Sequence, residues 1–325
     1  MRTWWTWCRL AGGFAILGVL VWRLGTSAFL DGLRGIGLVP VLAALSLGLV
    51  TTVVSAGRWR LIAARLGLRL PLPRAVGDYY RAQFLNGVLP AGVLGDVHRA
   101  VEHGRRSGDV ARGVRAVALE RMAGQVVVVA PGVAVLFFRP SVVPGFAHDV
   151  LTGAGVGVLV LAVGVLATAV LGSATGDRWL LSASRWRRAC AASMADVRAG
   201  LLGVRTWPAV TALSLVALVG HLTLFVVAAR AAGATAPLTT LLPLLVLALL
   251  AMGLPINIGG FGPREGVAAL VFAASGLGAQ QGVTVAVVYG LLGLVSTVPG
   301  GAVLGVRWLR SFRRRPALVP APSVV

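Results

Sequence analysis

The chain has 325 residues, of which 57% are hydrophobic and only 12% charged, with a mean hydropathy of +0.87. That composition excludes a soluble two-domain protein and points to a polytopic membrane protein. All 30 basic residues are arginine, against 10 acidic residues, a formal charge of +20. Such an excess first implies orientation in the bilayer and contact with anionic headgroups, ahead of nucleic acid. Only Cys8 and Cys190 are present, so no disulfide framework, CxxC metal site or redox chemistry is expected.

In chain order, Trp7 to Trp22 is a short first span anchored by Trp4, Trp5 and Trp7 at headgroup level. With Arg2 and Arg9 before it and Ser27-Ala28 after it, the run has features of a signal peptide, but it is read as a retained span. Ile36 to Ala56 is an uncharged second span. Gly57 to Arg115 carries 11 arginines and 4 acidic residues around the apolar piece Phe84 to Gly95. That piece is too short to cross and reads as a broken or re-entrant helix. Ala116 to Phe138 and Leu151 to Gly172 are the third and fourth spans. Ser173 to Pro208, with Trp179, Trp186 and Trp207 among six arginines, reads as interfacial amphipathic helix. Ala209 to Ala229, Leu238 to Leu254, the half-length piece Val267 to Leu277, and Val283 to Val306 follow. The expectation is an all-α membrane protein with about 7–8 crossings. A single transmembrane domain over 1–309 and a basic tail over 310–325 make up the chain.

Counted with the amino terminus inside, the inner segments hold 24 arginines and the outer loops four. This split puts both termini in the cytoplasm.

Two stretches break the hydrophobic runs. The later is Leu254 to Glu265, with Pro255, Asn257, Gly259, Gly260, Gly262 and Pro263. It releases backbone groups that only protein or water can satisfy inside a bilayer. The earlier runs from Asn86 through Pro90 and Gly95-Asp96 to Arg99. Arg99 lies nine residues after Pro90 and Arg264 nine after Pro255. One such segment in each half points to an internal repeat, for which an inverted arrangement is one solution, and to a membrane-embedded binding site.

An ionisable residue in mid-span costs on the order of 2.5–3.5 kcal/mol, so Glu120, Arg121, Arg264 and Glu265 need partners or water. They are either structural ion pairs at headgroup level or parts of a site. The helix break before Arg264 favours the site. A helix starting near Pro263 would aim its N–H groups at an anion with Arg264 as a planar phosphate fork. Asp96, His98, Glu102 and His103 read as a solvated juxtamembrane helix or headgroup contact rather than metal ligands, and His221 as a packing residue. Gly259-Gly260-Phe261-Gly262 lacks the Lys-Ser/Thr of a nucleotide loop, and there is no catalytic constellation, metal site or cofactor motif.

In the order Asn86–Pro90, Gly95-Asp96, Arg99, Glu120-Arg121 and Pro255 to Glu265, the sequence resembles the transmembrane, flippase-like domain of bacterial lysylphosphatidylglycerol synthases and its stand-alone relatives, over Val39 to Leu309. The resemblance implies a domain that moves a phospholipid between leaflets of the bacterial plasma membrane. In the synthases a separate soluble domain performs aminoacyl transfer, and none is expected here. Arg99 and Arg264 are then expected to neutralise headgroup phosphate, with Asp96, Glu120 and Glu265 holding them. The expected partners are anionic lipids, with a membrane-protein partner or a second copy also open. The alternatives are a non-transporting membrane scaffold and a membrane-embedded lipid transferase, the latter lacking a nucleophile or acid/base pair.

Overall fold

The computed structural model describes residues 36–89, 92–138, 153, 206–252 and 261–313, with side chains to 306. All principal elements among them are helices: α1 (Leu38–Arg65), α2 (Leu72–Val88), α3 (Leu94–Arg106), α4 (Val110–Phe138), α5 (Trp207–Ala231), α6 (Leu238–Met252), α7 (Pro263–Ala274) and α8 (Ala279–Arg313). Four of them, α1, α4, α5 and the 279–306 part of α8, are long and apolar enough to cross a membrane, while α6 is apolar but shorter. Pro131, Pro243 and Pro299 lie inside α4, α6 and α8, which continue through them, as neighbouring helices allow in a membrane. The expected spans Trp7–Trp22 and Leu151–Gly172, the interfacial stretch Ser173–Pro208 and the tail beyond 313 lie outside the described residues.

Two boundaries differ from the sequence expectation. α1 continues past Ala56 to Arg65, so Arg58 is part of the helix rather than of a basic loop. The early broken unit is also larger than Phe84–Gly95: it comprises the two short helices α2 and α3, packed on each other.

The element order of long helix, short helix, break, short helix, long helix occurs twice. α1, α3 and α4 begin at 38, 94 and 110, and α5, α7 and α8 at 207, 263 and 279, a constant displacement of 169 residues. The principal packings repeat likewise: α3 on α4 matches α7 on α8, α2 on α8 matches α6 on α4, and α1 on α5 is its own counterpart. Local devices repeat too. α1, α3, α5 and α7 each end on a glycine with positive φ, Gly67, Gly108, Gly233 and Gly276. The next N–H in each case closes on a carbonyl five residues back, as in Leu68 N to Ala63 O and Ala234 N to Ala229 O, both 2.9 Å, the Schellman ending. Gly113 lies against α3 at Ala100 and Gly104, and Gly282, 169 residues later, against α7 at Ala268 and Phe272.

The repeat is inverted. Gly220 of α5 faces Thr51 of α1, and Arg58 donates to Ser214 at 2.9 Å, so α1 and α5 run antiparallel. A twofold exchanging two antiparallel spans must lie in the membrane plane. The expected register shifts, however: Asp96 and Glu265 are each the third residue of their helix, so Asp96, not Arg99, occupies the place that corresponds to the late charged pair.

Small residues set the approach distances. A Cβ at Gly300 in α8 would run into the Tyr80 carbonyl of α2, whereas Gly57 in α1 faces open space. Gly300→Val is therefore expected to cost about 1–3 kcal/mol, and Gly57→Ala to hold or raise stability by about 0.5–1 kcal/mol, both read by thermal unfolding in detergent. Equal behaviour of the two variants would contradict the α2–α8 packing.

Candidate functional site

Glu120, fully buried in α4, gathers the first half around one carboxylate. Its Oε1 accepts from Arg58 Nη2 at 2.5 Å, Arg58 Nε at 3.2 Å and the Tyr79 hydroxyl at 3.2 Å. Its Oε2 accepts from Arg99 Nη2 at 2.7 Å. The donors come from α1, α2 and α3, so one side chain ties four helices. Arg99, 1% exposed, lies between the rings of Tyr79 and Trp59 at 4.3 and 4.7 Å, where cation–π attraction supplements its hydrogen bonds. Trp59 in turn meets His103 edge-on at 5.3 Å. Burial lowers the His103 imidazole below its ordinary range, with Arg74 and Arg99 adding to the shift against Asp78. His103 is thus a buried ring packed against Trp59 rather than part of a solvated face.

Asp96 is the second junction. Its Oδ1 takes Arg99 Nε at 3.0 Å; its Oδ2 takes Asn86 Nδ2 at 2.7 Å and Arg121 Nη2 at 2.5 Å. Burial alone would raise the Asp96 carboxyl, but the Arg121 and Arg99 guanidiniums outweigh it and hold the group below the usual carboxylate range. Asn86 also accepts from the Gly95 N–H at 2.8 Å, so it closes the break between α2 and α3 from both sides.

The late segment is built differently. Gly262, at φ 115°, precedes Pro263 as first residue of α7, and its N–H donates to Glu265 Oε2 at 2.6 Å. The anion at this helix start is therefore the protein's own carboxylate, in the reciprocal position of a capping box, rather than an external phosphate. Arg264 donates through Nε to Glu265 Oε1 at 3.0 Å and also pairs with it through Nη2. The rings of Phe261 and Tyr289 lie 4.9 and 5.3 Å from the guanidinium, and Gly290 leaves the room it occupies.

Between the two halves lies a cavity of about 720 Å³ whose charged lining among the described residues is Arg58, Asp96, Arg121 and Arg264. Both broken segments reach it, through Asn86 and Asp96 on one side and Phe261 and Arg264 on the other. The His221–Tyr289 contact, 3.4 Å between Nδ1 and the hydroxyl, joins α5 to α8 in its wall. Arg99, Glu120 and Glu265 are buried behind the wall rather than in it. Arg121 is different: its side chain keeps 43% of its surface exposed. About 11 residues into α4, it sits roughly 16 Å from the helix start. Pro90, Asn257, Gly259 and Gly260, read from sequence as site residues, lie outside the described residues.

The sequence reading missed Arg58, Trp59 and Tyr79. A signal was there: Thr51, Ser55 and Arg58 recur at helical spacing along an otherwise apolar span, a polar stripe that must face protein.

The profile of the family described as the lysylphosphatidylglycerol synthase TM region matches residues 8–300. The chain belongs to that family. The match starts well before Val39 and takes in the first apolar run, both halves of the repeat and the cavity. It concerns the transmembrane region of the family's synthases, not a catalytic domain. No curated protein matches the chain.

Within this family member the Glu120 junction sets stability. Removing its charge leaves Arg58 buried without its counterion and Arg99 with Asp96 alone. Glu120→Gln is expected to cost on the order of 3–5 kcal/mol, and Tyr79→Phe, which deletes one hydrogen bond, about 1 kcal/mol. Unfolding curves in detergent read both; a Glu120→Gln protein as stable as the parent would contradict the assigned network.

Proposed function

We propose that this membrane protein binds the phosphate of an anionic lipid in the cavity and passes the lipid between leaflets, without covalent chemistry. The observation that carries the reading is Arg121, a guanidinium held by Asp96 on one side and open to the cavity on the other. Three guanidiniums, Arg58, Arg99 and Arg121, share two carboxylates, Glu120 and Asp96. Among the described residues one positive charge is left over, and a lipid phosphate supplies its complement. Arg58 is committed to the protein through all three nitrogens, Nε and Nη2 to Glu120 and Nη1 to Ser214, and is nearly buried, whereas Arg121 is the more open guanidinium.

Inverted halves around a central cavity supply the means of alternating access. The broken hairpins α2–α3 and α6–α7 flank the cavity, so rocking one half against the other opens it to either side in turn. Arg60, Arg65, Arg69, Arg74 and Arg105, all exposed, gather where α1 and α3 end and α2 begins. That charge supports placing this end at the cytoplasmic leaflet of a bacterial plasma membrane, with both termini inside.

In proteoliposomes, leaflet exchange of fluorescent short-chain phosphatidylglycerol is expected to fall at least roughly tenfold in Arg121→Ala and less in Arg121→Lys, which keeps the charge but cannot serve Asp96 and a phosphate with one planar fork. Unchanged exchange in Arg121→Ala, with equal insertion, would overturn the reading. Absence of exchange in the parent protein would favour a membrane scaffold.

A further inference from the structure

Resting on the anion-binding reading of the cavity, we propose that His221 is a proton-binding site in its wall, so that an anionic lipid and a proton occupy the cavity together. The placement comes from α5. His221 follows Ser214 by seven residues, two helical turns along the same face, and the Ser214 hydroxyl is what holds Arg58 there. Both α5 residues line the cavity, and the His221 ring is only partly buried. Its Nδ1 meets the Tyr289 hydroxyl of α8 at 3.4 Å. A phenol donates to a neutral imidazole nitrogen and accepts from a protonated one, so this contact serves either charge state of the ring.

The charges around the ring decide when it takes the proton. Among the helices packed on α5, α1 presents Arg58 and α4 presents Arg121, both within electrostatic reach of His221. Glu120 lies behind them, α8 presents Tyr289, and α6 carries no ionisable side chain. On α5 itself the other ionisable residue is Arg230, near the helix end. Asp96 of α3 and Arg264 of α7, the latter paired with Glu265, complete the cavity. Both nearby carboxylates are committed: Glu120 to Arg58, Arg99 and Tyr79, and Asp96 to Arg99, Arg121 and Asn86. A protonated ring in the empty cavity therefore stands among cations without a counter-charge of its own, and the neutral ring is the stable form. A phosphodiester on Arg121 offsets that repulsion. Proton and lipid then bind cooperatively, each raising the affinity for the other by the same factor. One proton leaves water for an imidazole nitrogen as the lipid enters and returns to water as the lipid leaves, and no bond of the lipid is made or broken. The two transported charges cancel, so the exchange moves no net charge against the membrane potential.

The test uses the full chain in detergent micelles with a fluorescent short-chain phosphatidylglycerol as probe, whose phosphodiester stays ionised across the range used. Its dissociation constant is expected to rise roughly fivefold or more between about pH 6 and pH 8 in the parent protein, and less than about twofold in His221→Gln. His98 and His103 remain in that variant, so the difference reads His221 alone. In weakly buffered micelles with a pH indicator, adding dioctanoyl phosphatidylglycerol to the parent protein should draw protons from solution. Lipid binding by the parent without proton uptake anywhere in this range would overturn the proposal, even where His221→Gln fails to fold. Identical pH profiles in the parent and His221→Gln, with binding still abolished by Arg121→Ala, would overturn the proton site but leave the anion site. Probe binding indifferent to Arg121→Ala would overturn the anion site itself.

Discussion

The structure depends on a carboxylate that never reaches solvent. Glu120 collects Arg58, Arg99 and the Tyr79 hydroxyl, and the energetic logic is that of any charge inside a membrane protein: isolation is costly, and here the partners come from three other helices. Distance and direction between α1, α2, α3 and α4 are fixed as a result. One residue further along α4, Arg121 inherits that rigidity. It is aimed into the cavity because its neighbour is tied to three other helices and because Asp96 holds one edge of its guanidinium. A pre-oriented cation in a low-dielectric wall attracts an anion far more strongly than a flexible one on a surface.

The inverted repeat explains where the cavity lies, and the divergence of its halves explains why its charge is unevenly distributed. Positions 169 residues apart occupy corresponding places: Glu120 matches Tyr289, Arg121 matches Gly290, and His103 matches Phe272. The first half has concentrated charge at these places; the second has aromatic rings, a small residue and an apolar core around Leu241, Leu244 and Phe272. Arg264 uses the space that Gly290 leaves, so the two halves meet with a guanidinium from each. Fold symmetry places the cavity between the two halves, and chemical asymmetry gives it one charged wall, the feature on which the proposed headgroup binding rests.

Much of this was legible in the sequence. The apolar lengths gave α1, α5 and α8 their places, the Gly/Pro breaks located both hairpins, and charges embedded in apolar runs singled out Glu120, Arg121, Arg264 and Glu265. What stayed hidden was pairing at long range. Arg58 looks like a headgroup arginine because Gly57 and Trp59 follow an apolar run, yet α1 continues and its partner is 62 residues away. Arg99 looks like a ligand-binding cation, and its burial between two rings is a tertiary fact that no local pattern encodes. The prolines suggested one alignment of the two halves, whereas helix starts, set by packing and capping, give another in which Asp96 corresponds to Glu265.

The most direct measurement is the position of a headgroup phosphate in the protein reconstituted in phosphatidylglycerol nanodiscs and imaged by electron cryomicroscopy. The account predicts phosphate density within hydrogen-bond distance of the Arg121 guanidinium, with Arg99 and Glu120 still paired behind it. A cavity closed over Arg121, or filled by acyl chains with every phosphate at the membrane surface, would contradict it.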